Sequence, residues 1–219
     1  MILYEIFMKY KIKKYDVISF DIFDTLIHRR TMFPWDIFGN VEEKLKKSGI
    51  NEQFKEKRII AEKEARIAAN GKEIIIEDIY KKYRLSEIDS RELMQMELDE
   101  ERLNVYPDQK MMNILNKAKK ENKRIILISD MYLDENFIIN LLDLCGCEGY
   151  DKIYLSSSVG YRKHDGSLFQ YVRENENGNI IHIGDNFKSD YKMARKNGVD
   201  SLWLPVPYIK RLFFGRIKN

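Results

Sequence analysis

The stretch YDVISFDIFDTLIHRR, residues 15–30, decides how the chain is read. It opens on a run of β-branched and aromatic residues that ends at Asp21, with Phe23, Asp24 and Thr25 following. A short continuous apolar run of this kind is the pattern of a strand covered on both faces, as strands of parallel sheets are. Ligands of such sheets bind at the carboxyl ends of the strands, which is where Asp21 would stand. The rest of the chain must then supply the other strands.

Four further runs do so: RIILIS (124–129), KIYLSS (152–157), NIIHIG (179–184) and SLWLPV (201–206). Between them lie helical stretches such as DENFIINLLDLC (134–145) and SDYKMARKNG (189–198), the latter with Ser189 as expected N-cap and Gly198 as stop. Alternation of strand and helix predicts a parallel sheet with right-handed crossovers. The first and second strands are separated by far more chain than one crossover helix needs. Most of it reads as helix: WDIFGNVEEKLKKSG (35–49), NEQFKEKRIIAEKEARIAANG (51–71), IIIEDIYKKYRL (74–85) and SRELMQMELDEERLNV (90–105). Pro107 marks a break, and DQKMMNILNKAKKENK (108–123) reads as the crossover helix. The expected fold is therefore an α/β, Rossmann-like three-layer core over residues 1–32 and 107–219, interrupted by a helical cap over 33–106.

Composition agrees. A chain of 219 residues has room for one α/β domain carrying a smaller insertion. Apolar residues make up 44% and charged residues 33%, which suits a globular protein rather than a disordered one. The net charge of +3 comes from 38 basic and 35 acidic residues, with no basic stripe in the middle of the chain, so nucleic acid is not an expected partner. No apolar run approaches the roughly 18 residues of a membrane span. The N-terminal MILYEIFMKYKIKKY is apolar and then basic, the reverse of a secretory signal. Cys145 and Cys147, one residue apart, make a poor disulfide, and a cytoplasmic location is expected. The basic ends, KYKIKK (9–14) and YIKRLFFGRIKN (208–219), read either as packed segments with solvated lysines or as contacts with a membrane surface or partner protein.

The polar residues at the expected strand ends are Asp21, then Ser129 with Asp130, then Lys163 in SSSVGYRKHDGSLF (156–169), then Gly184 with Asp185 and Asp190 beyond. Singly, each has an ordinary reading as a turn-former, a helix cap or a solvated lysine. Together they place an acidic nucleophile, a hydroxyl, a cation and an acidic pair on one crevice. SFDIFDTL (19–26), ILISD (126–130), Lys163 in GYRKHDGSLF (160–169) and IHIGDNFKSD (181–190) resemble, in order, the four motifs of the haloacid dehalogenase-like (HAD) hydrolase superfamily, most of whose members are Mg²⁺-dependent phosphatases. The helical insertion sits where that family's cap enters. FDIFDTL with SDMYL further resembles a branch associated with bacterial surface-polysaccharide synthesis.

The resemblance implies a mechanism. Asp21, ionised at neutral pH given an ordinary pKa near ~3.9, would attack phosphorus and form an aspartyl-phosphate. Asp21, Asp185 and the backbone carbonyl of Phe23 would hold Mg²⁺, with Asp190 beside them holding a water of the metal or orienting Lys163. Ser129 and Lys163 would bind the transferring phosphoryl group, helped by N–H groups just after Asp21, and Thr25 would support the turn. One position departs from the pattern. Typical phosphatases of the family carry an acid two residues after the nucleophile, where this chain has Phe23. General acid–base help is worth about 10²–10⁴ in rate. The namesake dehalogenases carry an aromatic residue there, and a halide leaves without a proton. The acidic pair Asp185 and Asp190 favours phosphoryl chemistry, since halide displacement needs no Mg²⁺. Either Asp24 takes over the acid's role, or the substrate has a good leaving group, such as an acyl phosphate or a phosphoanhydride.

The expected function is thus Mg²⁺-dependent hydrolysis of a small phosphorylated metabolite, such as a phosphosugar or activated intermediate. A metal-independent 2-haloacid-type dehalogenase and a phosphate-binding module of low turnover in a polysaccharide-synthesis system are the alternatives. In the cap, Arg58, Glu62 and Arg66 share one helix face. They form either an exposed ion-pair ladder or an entrance at which Arg58 and Arg66 bind substrate; Glu97 and Glu101 repeat the spacing. Arg29 and Arg30 either raise the potential at the site or are simply solvated. His28, His164 and His182 show no zinc-ligand spacing, and the two cysteines are expected to pack in the turn before the third strand.

Overall fold

The computed structural model describes residues 12–84, 86 and 88–205. The chain enters β1 (Val17–Phe20), turns back into β2 (Ile27–Arg29), and then runs through four helices: α1 (Asp36–Lys47), α2 (Phe54–Ala68), α3 (Ile76–Tyr80) and α4 (Ser90–Asn104). It returns through β3 (Val105–Pro107) to α5 (Gln109–Lys120), β4 (Arg124–Ser129), α6 (Glu135–Leu144) and β5 (Lys152–Leu155). One helical turn, α7 (Ser156–Val159), precedes α8 (Ser167–Asn175) and β6 (Ile180–Gly184). A π-helical segment, Phe187–Met193, continues as α9 (Ala194–Lys196) into β7 (Asp200–Trp203).

Five strands form a parallel sheet in the order β5-β4-β1-β6-β7, with β1 at its centre. This position explains the mostly apolar run of the opening stretch, because successive side chains of a strand face opposite sides and both are covered. Ile18 and Phe20 join Ile125, Leu127, Ile181 and Ile183 in one buried cluster. Val17 joins Ile126, Ile128 and Ile180 in the other. Helices α5 and α6 cover the first face through residues such as Leu115, Ile138 and Leu141, and α8 covers the second through Leu168, Phe169 and Val172. Asp108 and Asp134 cap α5 and α6, each accepting from two N–H groups of the first turn.

Several boundaries differ from expectation. Asn186, not Ser189, caps the helix after β6, accepting from the N–H groups of Lys188 and Ser189, so Ser189 lies buried inside the π-helical segment. The third predicted strand stops at Leu155, because Ser156 turns away to bond the Met131 N–H through its Oγ at 2.9 Å. The helix read over 74–85 shortens to Ile76–Tyr80, and Tyr83 folds inward to donate to Glu52 at 2.9 Å. The antiparallel ribbon of β2 and β3, through which the chain leaves and re-enters the sheet region, was not expected, since three-residue strands leave no periodicity to read.

The inserted helices extend the first of these clusters with Phe38, Val41, Phe54, Ala61, Ile79 and Leu93. Among these helices Arg58 is fully buried. Its Nε and Nη2 donate to Glu97 at 2.6 and 2.9 Å, Nη1 donates to Glu62 at 3.1 Å, and its guanidinium lies over the rings of Phe38, Tyr80 and Tyr132. This corrects both sequence readings of Arg58, the exposed ladder and the substrate contact. A guanidinium held by a buried carboxylate and three aromatic faces has no donor directed to an entrance. No described helix is long and apolar enough to cross a membrane. Of the basic ends, Lys13 and Lys14 are exposed, while residues 1–11 and 206–219 lie outside the described residues. Cys145 and Cys147 are free and buried in the turn after α6.

Candidate active site

Asp21 leaves β1 with its backbone N–H still tied to the Ile183 carbonyl at 2.8 Å. Its carboxylate, 5% exposed, receives Lys163 Nζ on Oδ1 at 2.5 Å and the Thr25 hydroxyl on Oδ2 at 3.5 Å. Lys163 Nζ also donates to Asp190 Oδ1 at 2.7 Å. Behind it, His182 Nε2 meets the same oxygen at 3.3 Å, and the Asn186 N–H donates to Asp190 Oδ2 at 2.9 Å. His182 Nδ1 in turn meets Ser19 Oγ at 2.8 Å, a pair set by the β1–β6 register that places Ser19 opposite His182. A polar line therefore runs from Ser19 through His182, Asp190 and Lys163 to Asp21, across two adjacent strands.

Two backbone features hold this line in place. The Asp190 carboxyl packs directly on Gly184, where any Cβ would lie inside it, so the glycine ending β6 is required by close approach. The loop bearing Lys163 is clamped by Asp130, which accepts from the Lys163 N–H at 2.6 Å and the His164 N–H at 3.1 Å. Sequence reasoning saw Asp130 only as the neighbour of Ser129. Its signal, an acid directly after a strand, does not say which loop it holds.

The charges are strongly coupled. Burial pushes the Asp21 carboxyl well above the usual carboxylate range; Lys163 opposes this, while Asp190 and Asp185 add to it. Asp190 is held well below that range, since Lys163 and His182 outweigh its burial. Lys163 stays protonated because Asp190 and Asp21 more than offset its desolvation. Burial lowers His182, which favours the neutral ring. Asp21, Asp185 and Asp190 offer oxygens that all lie within 4.8 Å of one another. Three acidic side chains clustered in this way form an all-oxygen set, the kind of donor that suits Mg²⁺. Both Asp190 oxygens already accept hydrogen bonds, one of them from Lys163, which accords with an orienting role.

The remaining expected residues divide. Ser129 is buried at the end of β4. Phe23 is 8% exposed, and the Arg29 guanidinium lies 4.1 Å from its ring centre. Asp24 does not join the acidic cluster. It adopts a left-handed backbone (φ 58°), and its side chain, 27% exposed, meets His28 Nδ1 at 3.4 Å. His28 Nε2 reaches Asp108 Oδ2 at 3.0 Å. Burial pulls the His28 pKa down, but Asp108 and Asp24 outweigh it and raise it. The turn thus directs Asp24 to the ribbon rather than inward. Arg66, 49% exposed in its side chain, pairs with Glu62 at 2.7 Å and lines a cavity of about 590 Å³ together with Trp35, Phe38, Ile59, Lys63 and Tyr132.

A carboxylate at the end of the central parallel strand, with a buried lysine and an acidic pair beside it, stands where ligands of parallel α/β sheets bind. Residues 15–198 match the family model described as haloacid dehalogenase-like hydrolase, and the chain belongs to that family. Among solved structures it is similar to the HAD-type hydrolase YfnB of Bacillus subtilis, obtained bound to magnesium, with 17% identity, a TM-score of 0.60, and 87% of this chain and 89% of that one covered. It is also similar to a HAD phosphatase of Thermococcus onnurineus (16% identity, TM-score 0.57, 86% of each chain covered). A dehalogenase solved with an intermediate complex shares the fold equally well (13% identity, TM-score 0.57, 89% of each chain). No curated protein matches the chain.

Proposed function

We propose that the protein is a Mg²⁺-dependent phosphohydrolase of small phosphorylated metabolites that works through an aspartyl-phosphate on Asp21. The observation that carries this reading is the buried arrangement of Asp21, Lys163 and Asp190 with Asp185 within 4.8 Å. A nucleophile attacking carbon to displace halide needs no second and third carboxylate; a phosphoryl group, dianionic and repelled by Asp21, needs a cation held beside it. Asp21, Asp185 and the Phe23 carbonyl would hold that ion, with Asp190 behind them. When bound, Mg²⁺ supplies positive charge between the nucleophile and the phosphoryl oxygens.

The chain's own residues do the rest. Lys163, kept protonated, neutralises charge on the transferring group and favours the ionised form of Asp21. Ser129 donates its hydroxyl to a phosphoryl oxygen. Asp190 and Asp130 fix Lys163 from its two ends, side chain and backbone. The Asp21 Oδ attacks phosphorus, the bond to the leaving group breaks, and water then cleaves the acyl phosphate and restores the carboxylate. The inserted helices, as a cap, shape the space for the leaving group, with Arg66 at the rim of the cavity beside Tyr132. Phosphate release from acetyl phosphate, p-nitrophenyl phosphate and sugar phosphates, with and without MgCl₂, tests the reading. Release should need Mg²⁺ and vanish in Asp21→Asn while the circular dichroism spectrum is unchanged.

Phe23 supports a second reading, dehalogenation, because an apolar side chain suffices when no proton must be donated. Halide release from 2-chloropropionate in the presence of EDTA, lost in Asp21→Asn, would replace the phosphatase reading with that one.

A further inference from the structure

The side chains around Phe23 address the missing acid. Arg29 enters from β2 and lays its guanidinium over the Phe23 ring, two residues past the nucleophile. Its Nε donates to both oxygens of Glu101 on α4, at 3.1 and 2.9 Å, which fixes the plane of the group. Among the described residues, the hydrogen bonds of the guanidinium run from Nε to Glu101 alone. The side chain is only 10% exposed, and Tyr132, which lines the neighbouring cavity, lies within electrostatic reach. A planar cation anchored at one edge through Nε and stacked on Phe23, two residues from Asp21, is a preorganised receptor for an anion.

We propose that Arg29 receives the departing oxygen of the substrate, and that the enzyme therefore acts on phosphoryl compounds whose leaving group departs as an anion: acyl phosphates and phosphoanhydrides. The inference rests on the phosphohydrolase reading and names its substrate class. As Asp21 Oδ bonds to phosphorus, the bond from phosphorus to the leaving oxygen breaks, and that oxygen keeps the electron pair. It departs as a carboxylate or phosphate, paired with Arg29 and without taking a proton. Water then attacks the aspartyl-phosphate at phosphorus, Asp21 recovers its carboxylate, and both hydrogens of the water remain on the released dihydrogen phosphate. Arginine does not give up its proton near neutral pH, so Arg29 stabilises the leaving group by charge and hydrogen bonds alone. Alkyl phosphates, whose alkoxides need a proton, are poor substrates on this account.

Replacing Arg29 strips a buried carboxylate of its partner, so the test uses Arg29→Met/Glu101→Gln beside Arg29→Met. With acetyl phosphate and Mg²⁺, both variants should lose on the order of 10²-fold in kcat/KM, the usual loss for one donor aimed at developing charge. Added methylguanidinium should restore part of the rate. The loss should be steepest for the leaving groups of highest pKa, whose departing oxygen is the most basic. A second measurement does not depend on turnover: calorimetric binding of acetonylphosphonate, an unreactive acyl-phosphate analogue, against inorganic phosphate. The variants should weaken the analogue about tenfold and leave phosphate unchanged. Unchanged acetyl phosphate turnover, or equal weakening of both ligands, overturns the role of Arg29. If no compound releases phosphate in the wild type while the analogue still depends on Arg29, the phosphohydrolase reading fails and the anion subsite stands.

Discussion

Arg58→Met separates the two ways of reading the inserted helices. The wild-type guanidinium is fully buried, makes two hydrogen bonds to an equally buried Glu97, and is enclosed by Phe38, Tyr80 and Tyr132. Methionine fills most of the stem's volume, so the chief loss is electrostatic. Glu97 keeps the Tyr80 hydroxyl at 2.7 Å but loses its countercharge. Removing one partner of a buried pair costs about 3–5 kcal/mol. For a chain of 219 residues each kcal/mol moves Tm by about 2–4 °C, so the expected fall is about 6–20 °C. Arg58→Met/Glu97→Gln should recover part of it, because the amide is neutral and its oxygen still accepts from Tyr80. The assay is urea denaturation followed by far-ultraviolet circular dichroism, alongside KM at a temperature where both proteins are folded. A loss under about 1 kcal/mol, well below that range, together with a tenfold rise in KM would refute the buried strut and restore Arg58 as a substrate contact.

Further outcomes follow from the same geometry. Gly184→Ala forces a methyl into the Asp190 carboxyl; the shift carries to Lys163, and kcat should fall by up to about 10²-fold with the fold retained, measured by phosphate release. Asp130→Ala frees the two N–H groups that hold the Lys163 loop, at about 1.5–3 kcal/mol for each bond to a charged acceptor; limited proteolysis should cut between Gly160 and Gly166 in the variant and not in wild type. Glu176 gives a pH signature. Arg124 and Tyr154 hold its pKa below the ordinary 4.5 despite burial. A depressed carboxylate stabilises the fold above the unfolded value and loses that contribution as pH falls through the folded one. Glu176→Gln should therefore be less stable than wild type at pH 7, with the gap closing below about pH 4.5 in denaturant titrations.

Much of the architecture was legible in the chain itself. A central parallel strand is covered on both faces, so β1, β4 and β6 are written as mostly apolar runs, broken in β1 and β6 by the paired Ser19 and His182, and such runs are visible without a structure. The residues that close those runs, Asp21, Ser129 and Asp185, were visible for the same reason. Lys163 and Asp190 followed from their order along the chain, and the structure brings both to Asp21. What stayed hidden depends on direction at short range. Asp24 is one residue from Phe23, yet a left-handed turn sends its carboxylate to His28, whose other ring nitrogen meets Asp108 eighty residues downstream. No periodicity encodes that turn.

The helical insertion shows the other limit. Spacing placed Arg58, Glu62 and Arg66 on one helix face, and they are on one face. Whether that face meets water or protein is decided by which helix packs against it, and Glu97 arrives from α4, thirty-nine residues away. Arg29 is the same case beside Phe23. The parallel sheet, the order of polar residues at its strand ends and the family could be read from the chain alone. Tertiary structure alone decided which charges are buried struts, which are held in reserve beside Phe23, and which loop each acid clamps. Those outcomes depend on the partner across space, and a residue carries no record of its partner in its own neighbourhood.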